Sequence, residues 1–126
     1  MGALIEQADA LLASVVADMK TAAKVDVYTV PPGQKMMVTK VVIHSPTASL
    51  AGGTDYDLGT GVNADTWKQT VDLSSMTATD DYMVIDAAGT KYSIEAGGSV
   101  FGIKVITGST AAANASVDLF GYLVAE

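Results

Sequence analysis

The chain of 126 residues contains no cysteine, and all seven of its basic residues are lysine. The absence of Cys excludes a disulfide framework, a thiol nucleophile and any Cys-based zinc site. Without Arg there is no planar fork for bidentate readout of phosphate or guanine. The lysines form no basic stripe of the kind that marks a nucleic-acid binder. Long hydrophobic runs are missing too. The most apolar early stretch, Ala3 to Met19, is interrupted by Glu6, Asp9 and Asp18, so no bilayer-spanning segment is predicted. Nor is a signal peptide predicted, because the first charge is acidic and the first lysine is Lys20. These absences predict a protein synthesised in the cytosol that meets neither nucleic acid nor membrane.

What is present is apolar and acidic. Hydrophobic residues make up 49% of the chain and charged ones only 17%, which excludes disorder for most of it. The length suits one domain with a real core. A net charge of -7 favours solubility at high local concentration, or a basic partner. A chain this apolar is expected to hide surface against other copies or a partner.

The first 24 residues predict an α-helical arm. Ile5, Ala8, Leu12, Val15 and Met19 follow a three-four spacing, with Leu4, Leu11 and Val16 beside them. Alanine is abundant, and acids lead while Lys20 and Lys24 trail, as the helix dipole favours. The pattern lasts under three heptads, short for an independent coiled coil. Two readings stay open: a helix packed on its own domain, or an arm docked on a neighbouring subunit or partner. On the second, Leu4, Leu11, Leu12, Val15 and Val16 form the contact.

Residues 25–126 read as β. Strands are predicted at 25–30, 35–45, 54–58, 67–73, 82–85, 92–94, 100–107 and 116–124, separated by turn signals such as Pro31-Pro32-Gly33. About eight strands at such spacing indicate an antiparallel sandwich or closed barrel. With no second helical run, a parallel βαβ fold is disfavoured. Gly33, Lys40, Val41, Val42 and Ser45 are echoed at constant offset by Gly97, Lys104, Val105, Ile106 and Ser109. Two similar halves suit a jelly roll of two Greek keys. Met36 and Met37, being adjacent, must face opposite sides of their strand.

Catalytic and metal signals are sparse. His44, the single histidine, reads as a strand-end residue at a surface or subunit contact. Asp55, Asp57 and Asp65 share a Gly-rich region suited to Ca²⁺ ligation, but their spacing departs from an EF-hand and solvated acids are the preferred reading. Gly59-x-Gly61-x-x-Ala64 resembles a dinucleotide fingerprint, yet a strand rather than a helix is predicted after it. Asn114-Ala115-Ser116 is a formal glycosylation sequon without a secretion signal. Glu6, Glu95 and Glu126 are the only glutamates, a poor basis for a glycosidase pair. The aromatics, Trp67 foremost, read as core or interface, with carbohydrate stacking as the alternative. No enzyme, metal or cofactor is predicted.

The run Tyr28-Thr-Val-Pro-Pro-Gly-Gln-Lys-Met-Met-Val-Thr-Lys-Val-Val-Ile43 resembles the opening strands of small tailed-phage virion proteins with a jelly-roll fold. The closing segments Ala96-Gly-Gly-Ser-Val-Phe-Gly-Ile-Lys-Val105 and Val117-Asp-Leu-Phe-Gly-Tyr-Leu-Val124 are similar to theirs as well. The resemblance covers about residues 26–124. It implies a non-enzymatic homotrimer that serves as a head decoration (cement) protein on the major capsid protein, at the virion surface. The related alternative is a receptor-binding tail-fibre tip. A short chain starting at Met1 is expected to suit decoration, since a fibre tip needs a shaft upstream.

Overall fold

The computed structural model describes residues 9–87 and 94–125, which form nine β-strands and, among the described residues, no helix. They are β1 (Ala10–Asp18), β2 (Lys24–Thr29), β3 (Gln34–His44), β4 (Asp55–Thr60), β5 (Lys68–Val71), β6 (Tyr82–Asp86), β7 (Ile94–Ala96), β8 (Val100–Thr107) and β9 (Asn114–Ala125). Two antiparallel sheets result. The first runs β1-β9-β3-β6, with β7 also pairing β3; the second runs β2-β8-β4-β5. The chain crosses between the sheets after β1, β2 and β3, returns after β5, and crosses again on either side of β8. No helix among the described residues is long and apolar enough to cross a membrane.

The predicted strand regions correspond to β2 through β6, β8 and β9; of the predicted 92–94 only Ile94 falls in β7, and residues 92–93 lie outside the described residues. The two antiparallel sheets are consistent with the expected β-sandwich. The helical arm is corrected by β1. Ala10–Asp18 is a strand, paired with β9 from Ala10↔Gly121 to Asp18↔Asn114. Its inner side presents Ala13, Val15 and Ala17 to the core and its outer side presents Ser14, Val16 and Asp18, a period of two that coexists in the sequence with the helical spacing. A bulge between Leu11 and Ala13 shifts the phase, so Leu12 also packs against the core. Pairing with a complete neighbouring strand outweighs the modest helix preference of alanine. Leu4 and the rest of residues 1–8 lie outside the described residues.

The core lies between the sheets. Met36, Val38, Val41 and Ile43 of β3 and Val117 and Leu119 of β9 meet Tyr56 and Leu58 of β4 and Phe101, Ile103 and Val105 of β8. Met36 is buried and Met37 faces outward, as adjacency requires. Trp67 packs edge-on against Phe101, with ring centroids 5.9 Å apart, and its indole N–H donates to Val38 O at 3.2 Å, joining the sheets.

Two further polar links join the layers, and a third secures the β4–β5 connection. The Tyr56 hydroxyl donates to Met19 O at 2.7 Å; burial, with a smaller push from the Asp18 charge and against the Ser109 N–H, raises that phenol to about 12. Thr60 on β4 donates to the buried Glu95 of β7 at 2.8 Å. Thr66 accepts from Thr60 N–H at 2.9 Å.

Candidate interaction surface

Directly opposed residues of an antiparallel sheet point to the same side, so the register of the first sheet defines its outer face row by row. One row is Val16–Ser116–His44–Tyr82, across β1, β9, β3 and β6. The next is Ser14–Asp118–Val42–Val84, and the third Leu11–Phe120–Lys40–Asp86. Beyond the start of β1 come Tyr122–Met37–Ile94 and Val124–Lys35–Ala96, across β9, β3 and β7.

This face is apolar and uncovered among the described residues. Leu11, Val16, Tyr82, Val84, Ile94 and Val124 are exposed on it, whereas only Val62 and Ile106 among the exposed large hydrophobics lie elsewhere. Val16 and Tyr82, at opposite ends of one row, are 67% and 69% exposed. The outer face of the second sheet differs in kind. There Lys24, Lys104 and Asp57 line up across β2, β8 and β4, Lys24 pairs with Asp26 at 3.3 Å and Lys104 donates to Asn63 at 3.1 Å. One face is solvated in the ordinary way, and the other carries the surface that a partner would cover.

A polar clip runs through the apolar face. His44 Nε2 lies 2.9 Å from Asp118 Oδ2, and Ser14 Oγ donates to Asp118 Oδ1 at 2.5 Å, so one carboxylate ties β1, β9 and β3. His44 Nδ1 lies 2.8 Å from Ser45 Oγ. The residues of an acyl-transfer triad are thus in line, but the residue after Ser45 is Pro46. It has no N–H, so the backbone donor that such sites take from the residue after the nucleophile is missing. The arrangement serves to lock strands and to fix the His44 ring on the face.

The remaining predicted positions divide. Leu11 and Val16 are on the outer face, while Leu12 and Val15 pack against the core. Asp57 accepts the Thr70 N–H at 3.0 Å, and Asp55 Oδ1 is buried without a hydrogen-bond partner among the described residues. Asp55, Asp57 and Asp65 are not gathered around one point, and the described residues hold no group of three or more such side chains arranged for a metal ion. Trp67 is buried and offers no stacking platform. Sequence reasoning missed Val84, Ile94 and Val124, and took Tyr82 with the other aromatics as core or interface. The alternation Tyr82, Val84, Asp86 outward against Met83 and Ile85 inward carried the signal for Val84.

No family model matches this chain, and no curated protein matches it. Among solved structures it is similar to a chain of the acidic stable capsid structure of Helicobacter pylori bacteriophage KHP30. The match has a TM-score of 0.50 at 12% identity and covers 95% of this chain and 99% of that one. Likeness at this identity is likeness of fold.

Proposed function

We propose that the sandwich is a jelly roll and that the protein is a non-enzymatic structural component of a tailed-phage virion, a head decoration protein that binds the assembled capsid as an oligomer. The observation that carries the reading is the fold match to a capsid-structure chain over nearly the full length of both. The strand order β1-β9-β3-β6 against β2-β8-β4-β5 supports a winding of two Greek keys. The exposed apolar face of the first sheet supports a protein that works by being covered. In this reading Val16, Tyr82 and Val84 meet the major capsid protein or the next copy, and Leu11 borders the contact. The homotrimer is the assembly that the sequence resemblance implies.

The mechanism is mechanical. Each copy bridges neighbouring shell subunits, and a standard interface buries roughly 1,200 to 2,000 Å² in total. Repetition around the shell converts modest single contacts into durable attachment through avidity. The protein would join the shell in the host cytoplasm and remain on the capsid surface.

The test mixes purified protein with capsids stripped of accessory proteins and measures retention after sedimentation. Saturable binding at symmetric positions, together with a trimeric solution mass, is expected. Retention on host cells or glycans with none on capsids would move the assignment to a receptor-binding fibre tip. Binding to neither would remove both.

A further inference from the structure

We propose that two copies of this chain pack the outer faces of their first sheets together about a two-fold axis that runs along the strands, between β9 and β3. The inference rests on the reading above, that this face works by being covered, and commits its occupant to a second copy. Such an axis turns the face onto itself row by row. β1 of one copy then lies over β6 of the other, β9 lies over β3, and every residue stays in its row.

The contents of the rows fit that operation. In the first row Val16 meets Tyr82 of the second copy at both ends, a small side chain against a large one. These two are the most exposed large hydrophobics of the face, at 67% and 69%. In the second row Asp118 meets Val42. Its carboxylate arrives already engaged, with His44 Nε2 2.9 Å from Oδ2 and the Ser14 hydroxyl donating to Oδ1, so covering it strands no hydrogen-bonding group. In the third row Lys40, whose ammonium sits 4.8 Å above the Phe120 ring of its own copy, meets the Phe120 of the other, and a second ring faces the same cation. Across these rows no acid meets an acid and no base meets a base. The alternative axis, running across the strands, fails on charge. It lays Asp118 against the Asp118 of the second copy and His44 against Lys40, which sets two carboxylates together where water is excluded.

The size fits as well. Twelve positions in the three full rows and four more on β9 and β3 beyond them, at roughly 33 Å² of sheet each, give about 500 Å² in projection. Side-chain relief raises the accessible area toward the roughly 600 Å² per copy at the low end of stable interfaces. The aligned packing of two twisted sheets, crossing at about 30°, keeps facing rows within side-chain reach. An interface of this size forms at high protein concentration and leaves dilute protein at the mass expected above. A trimer about a separate axis is compatible with it.

Cysteine variants of the full-length chain, which has no native thiol, test the pairing without capsids. Val16→Cys and Tyr82→Cys, both at exposed positions, are made as separate proteins, mixed at high concentration and oxidised with copper phenanthroline. The mixture is expected to form the mixed disulfide-linked dimer several-fold faster than either protein alone forms its own. Across the pair each cysteine lies about 14 Å from its own symmetry mate, too far for a disulfide. Equal rates, or no mixed dimer, would overturn the proposal. Val84→Cys alone separates the two axes. It faces Ser14 of the second copy under the lengthwise axis and its own mate only under the crosswise one, so it is expected to stay reduced, and rapid self-linkage would overturn the proposal. Capsid sedimentation of the same single variants reads the capsid assignment separately. Retention on capsids with no cross-linking in solution would overturn the pairing and leave that assignment standing.

Discussion

His44 and Asp118 meet diagonally across the β3–β9 ladder, Nε2 to Oδ2 at 2.9 Å, on the outer face of the first sheet. Because Asp118 also accepts from Ser14, its removal strips two donors on two strands. Asp118→Ala is expected to cost about 1 to 2 kcal/mol in urea unfolding. A double-mutant cycle with His44→Ala should return a coupling of about 0.5 to 1 kcal/mol. A coupling of zero would mean that the contact adds nothing to stability.

Two adjacent valines on β1 separate the role of the face from that of the core. Val16 is exposed and Val15 packs inward. Val16→Asp is expected to change stability by no more than about 0.5 kcal/mol while weakening capsid retention. Val15→Asp places a carboxylate against the core and is expected to cost about 3 kcal/mol or more. Far-UV circular dichroism, urea unfolding and capsid sedimentation on both variants check the pair. Equal loss of retention without unfolding would show that Val15 is not a core residue.

The same two valines show what the sequence made legible. Most of the chain after Val25 announced itself through β-branched runs and Gly or Pro turns, and the predicted strands lie where β2 through β6, β8 and β9 are found. The segment Ala10–Asp18 did not, because Leu11 and Leu12 straddle a bulge and break the alternation that would have marked a strand. What remained visible was a helical spacing in alanine-rich text. The candidate surface was only half legible for a related reason. Leu11 and Val16 were singled out, but as members of a helix face that grouped them with the inward-facing Leu12 and Val15. Ile94 and Val124 become neighbours of Met37 and Tyr122 only through long-range pairing, which local periodicity does not encode.

Gly121, the one glycine in the described strands of the first sheet, is predicted to resist replacement. A Cβ there would collide with the Met37 carbonyl oxygen, which is backbone and cannot swing aside. The site lies beside the bulge between Val38 and Lys40 on β3, where β9 and β3 approach closely. Gly121→Ala is expected to cost about 2 kcal/mol or more by forcing the central strands apart. Gly33→Ala, in the turn before β3 with φ 78° and open space around it, is expected to cost about 1 kcal/mol through backbone strain alone. Unfolding midpoints of the two variants check the order.

Tyr56 sets an alkaline limit on stability. Its phenol titrates at about 12 in the folded protein against a starting value of 10.0, chiefly because burial disfavours the phenolate. A folded value above the unfolded one means that the unfolded chain releases this proton first. The contribution is therefore complete below pH 10 and is lost as pH rises from 10 through 12. At about 1.4 kcal/mol for each pH unit that separates the two values, the loss amounts to roughly 2 to 3 kcal/mol. Tyr56→Phe removes the titration. It also removes the hydrogen bond to Met19 O, but that carbonyl keeps the Ser109 N–H at 3.0 Å, so the variant is expected to be about 1 kcal/mol less stable at neutral pH. The decisive quantity is the stability difference between wild type and Tyr56→Phe, in which any pH dependence common to the two proteins cancels. That difference should hold steady up to pH 10, shrink, and change sign before pH 12. A difference that stays level across the window would show that the Tyr56 hydroxyl exchanges its proton as freely in the folded protein as in the unfolded chain.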